Sequence, residues 1–309
     1  ANKDVCIGRG LMSIDGKNNN FIFYLFKAYK NYVVGKETGT VYGSVTRDDI
    51  SKLKFPFPKE SEQQAIASIL SSLDAKIELN NQMNKTLEAI GQALFKKWFV
   101  DERKEEWKEA RLGDFIFVER GLSYKGSGLS EKGLPMINLG NVAPNNHFKY
   151  DGLKFYIGDY KERNLVKPGD LIIANTDITQ KREVLGSCLV VPAHLGADKL
   201  LFTHHIYAVR NKDQKNKLPK NFLSYLLQTP EYRERANGFA TGTTVLALPE
   251  DAILNLIFAM PPKGILEKFE VAINYLKEKS QNNILESRSL TNTRDSLLPK
   301  LMSGEIRVK

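Results

Sequence analysis

Few side chains in this sequence could make or break bonds, and their spacing argues against catalysis. The four histidines are His147, His194, His204 and His205. The adjacent pair His204–His205 could offer a metal ligand or a general base. Both lie in the strand-like run LLFTHHIYAV, where alternation sends one ring inward and the other outward, so a packed or loop-facing pair is the simpler expectation. Cys6 and Cys188 are far apart and lack metal-ligand spacing, which fits a reducing compartment. GxxxxGK[ST], HExxH, CxxC and GxSxG are all missing, and KGSGLSEKG is only a glycine-containing loop. The Asn/Asp-Pro-Pro-aromatic tetrapeptide of base-amino methyltransferases is missing too. No carboxylates form a recognisable acid–base pair. These residues describe a non-enzymatic binding protein, with no catalytic residue, no metal and no cofactor of its own.

Charge narrows what is bound. The net charge is +9, and the pI is near 9.3. That balance fits a polyanionic partner, most often nucleic acid. A basic, solvated surface with no such partner explains it equally well. Hydrophobic residues make up 42% of the chain, enough for real cores in roughly two domains. No apolar run reaches about 18 residues, so no membrane helix is expected. ANKDVCIGRGLMS has none of the features of a secretion signal. The expected location is the cytoplasm.

The elements that must position any binding residues are duplicated. At a constant offset of 203, Thr38, Gly39 and Thr40 recur as Thr241, Gly242 and Thr243. Asp48, Ile50, Leu53, Phe55 and Pro58 recur as Asp251, Ile253, Leu256, Phe258 and Pro261. Leu73, Lys76, Asn80, Leu87, Leu94 and Lys97 recur as Leu276, Lys279, Asn283, Leu290, Leu297 and Lys300. A period this long is a duplicated domain plus helix, and such a pair can fold with pseudo-twofold symmetry.

Residues 1–58 read as a mixed α/β fragment. Ile22–Phe26 suggests a short helix. DDISKLKFPFP suggests a helical turn leading into a short strand, ended by Pro56 and Pro58. Residues 60–99 read as one helix about 60 Å long, with Ile66, Leu70, Leu73, Ile77, Leu87, Leu94 and Trp98 at a 3–4 spacing. Its copy, Leu266–Leu298, should end at Pro299. Residues 101–111 form a charged connector. Residues 112–262 form a full domain of short β-rich runs, a helical pair (NFLSYLLQTPEYRERA) and the repeated loop-helix-strand. Residues 1–58 match only the back third of it. By the offset, the first copy would start about 95 residues before Ala1, which predicts an N-terminally shortened chain or a sequence that begins partway through the protein.

The motifs resemble a known family. Pro58-Lys-Glu-Ser-Glu62-Gln63-Gln-Ala-Ile66 resembles the entry to the conserved helix of type I restriction-modification specificity subunits. Leu87 to Asp101 is similar to the end of that helix, and Leu297-Leu-Pro-Lys-Leu-Met-Ser-Gly304-Glu-Ile to the family's C-terminal signature. Arg111-Leu-Gly-Asp-Phe and Lys167-Pro-Gly-Asp170-Leu-Ile-Ile look like target-recognition-domain landmarks. The second copy departs from the pattern, with Leu266-Glu267-Lys268 in place of Glu62-Gln63-Gln64.

The resemblance implies an α+β fold with duplicated target-recognition domains, joined by two long helices packed as an antiparallel coiled coil. The boundaries would be 1–58 for the end of the first recognition domain, 59–101 for the first spacer helix, 102–262 for the second domain and 263–309 for the second helix and tail. Each domain would read one half of an interrupted duplex DNA site, with the helices as a ruler. A helix near 60 Å spans close to two turns of B-DNA, at about 34–36 Å each. The resemblance also implies partners: two modification subunits, which carry S-adenosylmethionine and methylate adenine, and a restriction subunit that uses ATP and Mg to translocate and cut. A shortened chain could instead pair with itself as a homodimer.

DNA contacts are expected in loops of basic and small polar residues. In the second domain these are Tyr124 and Lys125, then Asn175, Thr176, Gln180, Lys181 and Arg182, where Asn, Gln and Arg suit bidentate base readout. The third loop holds Thr241, Thr243 and Thr244. In the first domain the matching loop holds Lys36, Thr38, Thr40, Tyr42 and Arg47. Along the helices, Asn80 should meet Asn283, Leu73 should face Leu290 and Leu87 should face Leu276; a buried polar pair would fix register at a cost in stability. Phe95, Trp98 and Phe99 should pack against the second domain rather than form an exposed docking patch. Two other readings compete. One is the recognition region of a fused methyltransferase-endonuclease; the other is a helical scaffold that binds only proteins.

Overall fold

The computed structural model describes residues 6–8, 10–37, 43–179, 181–193, 195–213 and 215–308, the side chain of Asn145 excepted. It divides into two compact units, one of residues 1–88 with 277–309 and one of residues 89–276. Thr38, Thr40, Tyr42, Gln180 and His194 lie outside the described residues.

The first unit is helical. Helix α1 (Asn19–Ala28) is capped by Asn18, whose side chain accepts from the Phe21 amide, and α2 (Lys30–Val34) follows. Helix α3 (Arg47–Ser51) opens with a Thr46–Asp49 capping box. Helix α4 (Glu60–Lys96) has Glu60 and Glu62 in its first turn, where carboxylates suit the helix dipole. Lys54–Phe57 was expected as a strand, but no partner strand pairs with it among the described residues, and it runs as extended coil. Phe55 and Phe57 instead pack edge-on against the α1 rings Phe26 and Phe21.

Within this unit α4 pairs with the last part of helix α8 (Lys263–Ser303), and the two run antiparallel. Asn80 bonds the residues around Asn283, Asp74 pairs with Arg294, and Glu62 with Arg307. Ile66 and Leu70 pack in one core with Leu298, Leu301 and Met302. That core corrects the expectation for Pro299, which lies inside α8. Proline removes one backbone bond there. Leu301 and Met302, both buried, hold the final turn in place past it. The helix ends at Gly304, whose φ of +79° is the left-handed cap that a side chain would strain.

Asp74 carries a pH-dependent share of this unit's stability. Burial disfavours its charge, but the bonds from the Tyr24 hydroxyl (2.6 Å) and Arg294, with the Arg294 charge, outweigh it and hold the carboxyl below its usual range. A depressed folded pKa means the stabilisation is present above the unfolded value of about 4 and is lost as pH falls through the folded value. Asp74→Asn is expected to cost about 1–2 kcal/mol at pH 7. The penalty should shrink below pH ~4, as the wild-type carboxyl protonates. Urea denaturation across a pH series checks this; a penalty that stays constant down to the acid end would rule out the ion pair as its source.

The second unit is α+β. An antiparallel sheet orders Cys188–Val190, Leu171–Ala174, Ile206–Asn211 and Ile116–Arg120. A mixed sheet orders Leu129–Ser130, Lys154–Tyr156, Leu134–Ile137, Leu200–Phe202 and Leu165–Val166. Helices α5 (Lys220–Leu226), α6 (Pro230–Gly238) and α7 (Glu250–Leu254) cover the first sheet's core face. The charged connector is not all loop: Glu109–Arg111 pairs antiparallel with Ile257–Ala259, and Trp107 is buried. Phe95 and Phe99 are buried among Phe222, Tyr225 and Phe269, so the aromatic end of α4 packs into the second unit's core. Gly91 is the glycine of α4 because a Cβ there would meet the Tyr225 hydroxyl.

Candidate nucleic-acid interface

The second unit gathers its expected contact residues through strand pairing. Thr176–Asp177 pairs antiparallel with Leu246–Ala247, which sets loop 178–185 beside loop 241–245. Asp177 is fully buried and organises the first loop. Its carboxylate accepts from the Thr179 amide and hydroxyl (2.6 and 2.8 Å) and from the Val184 and Leu185 amides (2.9 and 3.2 Å). The second loop is closed by reciprocal backbone bonds between Thr241 and Ala247 (2.9 and 2.8 Å). Gly242, at φ +98°, makes the turn, and a Cβ there would meet the Val245 carbonyl.

The expected readers divide into two groups. Asn175 and Thr176 are buried. The Asn175 amide donates to the His204 carbonyl (3.0 Å), and the Thr176 hydroxyl bonds the His205 ring (2.9 Å). While the buried Asn175 Oδ1 has no hydrogen-bond partner among the described residues, the Asn175 amide and the Thr176 hydroxyl thus hold two loops together. Arg182 is similar. At φ +54° it donates to the Asn237 carbonyl (2.7 Å), while Arg233 donates to the carbonyls of Arg182, Glu183 and Leu185. Lys125, Lys181, Thr241, Thr243 and Thr244 are exposed, and Tyr124 is half-buried.

Sequence reasoning missed the cationic centre of this face. His204 and His205 occupy a turn between strands, not a strand, and their rings lie 3.9 Å apart instead of on opposite faces. Arg120 donates to the His204 carbonyl (3.1 Å). Lys154 donates to the Tyr124 hydroxyl (2.7 Å) and sits 5.2 Å from that ring's centre. Burial, and then the charges of His204, Arg120 and Lys154, push the His205 pKa down. The signal was scattered: Arg120 ends one strand, Lys154 begins another, and only strand pairing brings them to the histidine turn.

In the first unit, Lys36 lies 5.5 Å from the Tyr32 ring centre, and Arg47 is exposed at the start of α3. On the helix pair, Asn80 is fully buried and Asn283 nearly so. The Asn80 amide donates to the Asn283 carbonyl (3.4 Å), Glu286 (2.8 Å) and the Ser287 hydroxyl (3.2 Å); the Asn283 amide donates to Asn84 (2.9 Å). Asn84 and Ser287 are themselves repeat equivalents, so the same side-chain bond is made in both directions. Leu73 and Leu290 flank this site half-buried, as are Leu87 in the first unit and Leu276 in the second.

Among the described residues, no group of three His, Cys, Asp or Glu could hold a metal ion. No described helix is long and apolar enough to cross a membrane.

The family profile of the type I restriction modification DNA specificity domain matches residues 1–89. The MjaIX specificity subunit of Methanocaldococcus jannaschii is 26% identical, over 97% of this chain and 72% of that protein. The HindI specificity subunit of Haemophilus influenzae is 25% identical, over 90% of this chain and 74% of that protein. The chain is similar to type I restriction-modification specificity subunits along nearly its whole length, and residues 1–89 match the family's domain profile. The crystal structure of a type I restriction-modification system S subunit from M. genitalium shares this fold, with a TM-score of 0.59 at 18% identity over 92% of this chain and 72% of that one.

Proposed function

We propose that this chain is the DNA-recognition subunit of a type I restriction-modification complex and reads a split target. Residues 1–58 would be the end of one recognition domain and 102–262 the other, with 59–101 and 263–309 as spacer helices. The observation that carries this is the alignment of specificity subunits along nearly the whole chain, through both repeats. Phosphate contacts by Arg120, Lys125, Lys154 and Lys181 would supply affinity, and Tyr124, Thr241, Thr243 and Thr244 would reach base edges. Lys36, Thr38, Thr40, Tyr42 and Arg47 would serve the first domain. Asn175, Thr176 and Arg182 would position these groups.

Catalysis resides in partner subunits. Two modification subunits with S-adenosylmethionine would methylate adenine, and a restriction subunit with ATP and Mg would cleave, all in the cytoplasm. A homodimer would supply two copies of the second domain and read a palindromic split site.

Methylome sequencing of cells co-expressing the chain with its modification subunit tests the reading. A split motif with methyladenine in both halves supports it, and a palindromic one supports the homodimer. A stable complex with no methylation counts against it and favours a protein-binding scaffold. The helix register is tested in the same assay. Asn80→Leu is expected to shift the melting temperature and blur the gap between half-sites, since the bonds to Glu286 and Ser287 are lost. If the variant keeps both the wild-type melting temperature and the wild-type gap, the asparagines do not set the register.

A further inference from the structure

The ribbon that joins the two loops ends in an apolar tip. Thr176 faces Ala247 and Asp177 faces Leu246, so the next facing positions are Ile178 and Val245. Both side chains are exposed, at 68% and 45%. Two exposed β-branched aliphatics at the end of a ladder bury little area for the fold. The loops beneath them are nonetheless fixed, by the four bonds to buried Asp177 and by the Gly242 turn against the Val245 carbonyl. The two loops also carry Lys181, Thr243 and Thr244, all exposed, with Glu183 as the exposed carboxylate of the first. In the repeat, Val245 corresponds to Tyr42, another residue with an apolar body.

We propose that Ile178 and Val245 form a specificity contact that reads the C5 methyl group of thymine in the major groove. The inference rests on the DNA-recognition reading above. A two-stranded ribbon fits the major groove, about 12 Å wide, and the thymine methyl is the one apolar feature displayed there. The cationic groups of the same unit, Arg120 and Lys154, together with Lys181, make a phosphate-lined groove the complementary occupant. Apolar contact discriminates thymine from cytosine and from uracil without a hydrogen bond.

The test is a cycle of protein and DNA changes on the assembled complex with modification subunits. Duplexes carry the methylated motif found by sequencing, with each thymine in turn replaced by deoxyuridine, which lacks only that methyl. Wild-type protein is compared with the double variant Ile178→Ala, Val245→Ala, whose melting temperature should be unchanged because both side chains are exposed. Wild type is expected to lose about fourfold in affinity at one or two thymine positions, the worth of one buried methyl, and the variant to show no difference there. Equal losses in both proteins, or none in either, overturn the contact while leaving sequence-specific binding intact. A variant weakened equally on thymine and uracil duplexes also overturns it, since that marks a wedge between base steps. If the wild-type complex prefers its motif over random duplex not at all, the recognition reading fails and the methyl contact with it.

Discussion

Phe269→Ala is expected to lower the stability of the second unit by about 3–5 kcal/mol, a large fraction of what holds a domain together. The ring is fully buried on α8. It meets Phe99 at 5.0 Å, Tyr225 at 5.7 Å, Phe95 at 5.8 Å and Trp98 at 6.0 Å between centroids, all near edge-on. Edge-to-face pairs add to the area term, and the five rings come from α4, its continuation, α5 and α8. Truncation leaves a cavity that four rigid aromatics on α4, its continuation (Lys97–Asp101) and α5 cannot collapse to fill. Isothermal chemical denaturation, followed by tryptophan fluorescence from Trp98 and Trp107, measures the loss. A cost under 1 kcal/mol would mean that the helix ends do not depend on this cluster. Phe95 is the more tolerant position, being slightly exposed at 5%, so Phe95→Leu should cost less.

The duplicated plan was legible because it is written in identities at one offset, and long helices announce themselves by period. Asn80 and Asn283 stood out for the same reason: a polar residue on an apolar stripe is a local exception, and sequence shows exceptions well. Other features were hidden for physical reasons. The strand Glu109–Arg111 is three residues long, with charged ends pointing to solvent, and its identity depends on Ile257–Ala259, almost 150 residues later. The same dependence works in reverse at Lys54–Phe57, which is the repeat equivalent of that partner region but finds no partner strand among the described residues. Asn175 shows a different limit. An amide bonding a backbone carbonyl has the same composition as an amide awaiting a base, and only burial tells them apart. Pro299 is a case of tertiary packing overriding a local rule, since Leu301 and Met302 gain more from the α1 and α4 core than one backbone bond is worth.

Capping tells a similar story across distance. The Glu270 carboxylate on α8 accepts from the Asn221 side chain and the Phe222 amide at the start of α5, at 3.0 Å each. Pro219 precedes that helix and offers no side-chain cap, so the missing acceptor comes from elsewhere in the chain. Nothing in the local sequence of α5 records this, yet it fixes where the helix carrying Phe222 and Tyr225 sits against Phe269. Loops 178–185 and 241–245 are thus mounted on α6 and the strand ladder, while the helices beneath are locked by aromatic packing and by Glu270. A rigid mount matters for reading DNA because base contacts fail when donors are misplaced by a fraction of a hydrogen-bond length.

The face itself makes the second large prediction. Replacing Arg120 and Lys154 together by alanine is expected to weaken duplex binding by about 10–100-fold at moderate salt, nearly equally for target and random sequence. Each lysine or arginine that neutralises a phosphate releases condensed counterions, so the slope of log affinity against log salt should fall by about 2 for the double variant. Both side chains also hold neighbours: Arg120 bonds the His204 carbonyl and Lys154 the Tyr124 hydroxyl. A purely structural role would therefore shift the melting temperature and the methylated motif while leaving the salt slope alone. The charge-keeping variant Arg120→Lys separates the two further, because it loses the fork geometry at His204 but keeps a phosphate contact. Titrations of the assembled complex with fluorescent duplex at a series of salt concentrations decide the matter. An unchanged slope in the double variant would move the phosphate track away from Arg120 and Lys154 and onto the loop cations Lys125, Lys181 and Arg182. Acidity gives a second handle on the same chemistry. The His205 pKa is depressed by burial and by its cationic neighbours, so the ring is neutral at pH 7. Removing Arg120 and Lys154 takes away two of those neighbours, which should raise the pKa and let His205 protonate at a higher pH. A binding increase on acidification that begins earlier in the double variant than in wild type would place the histidine turn, Arg120 and Lys154 on one phosphate-facing surface.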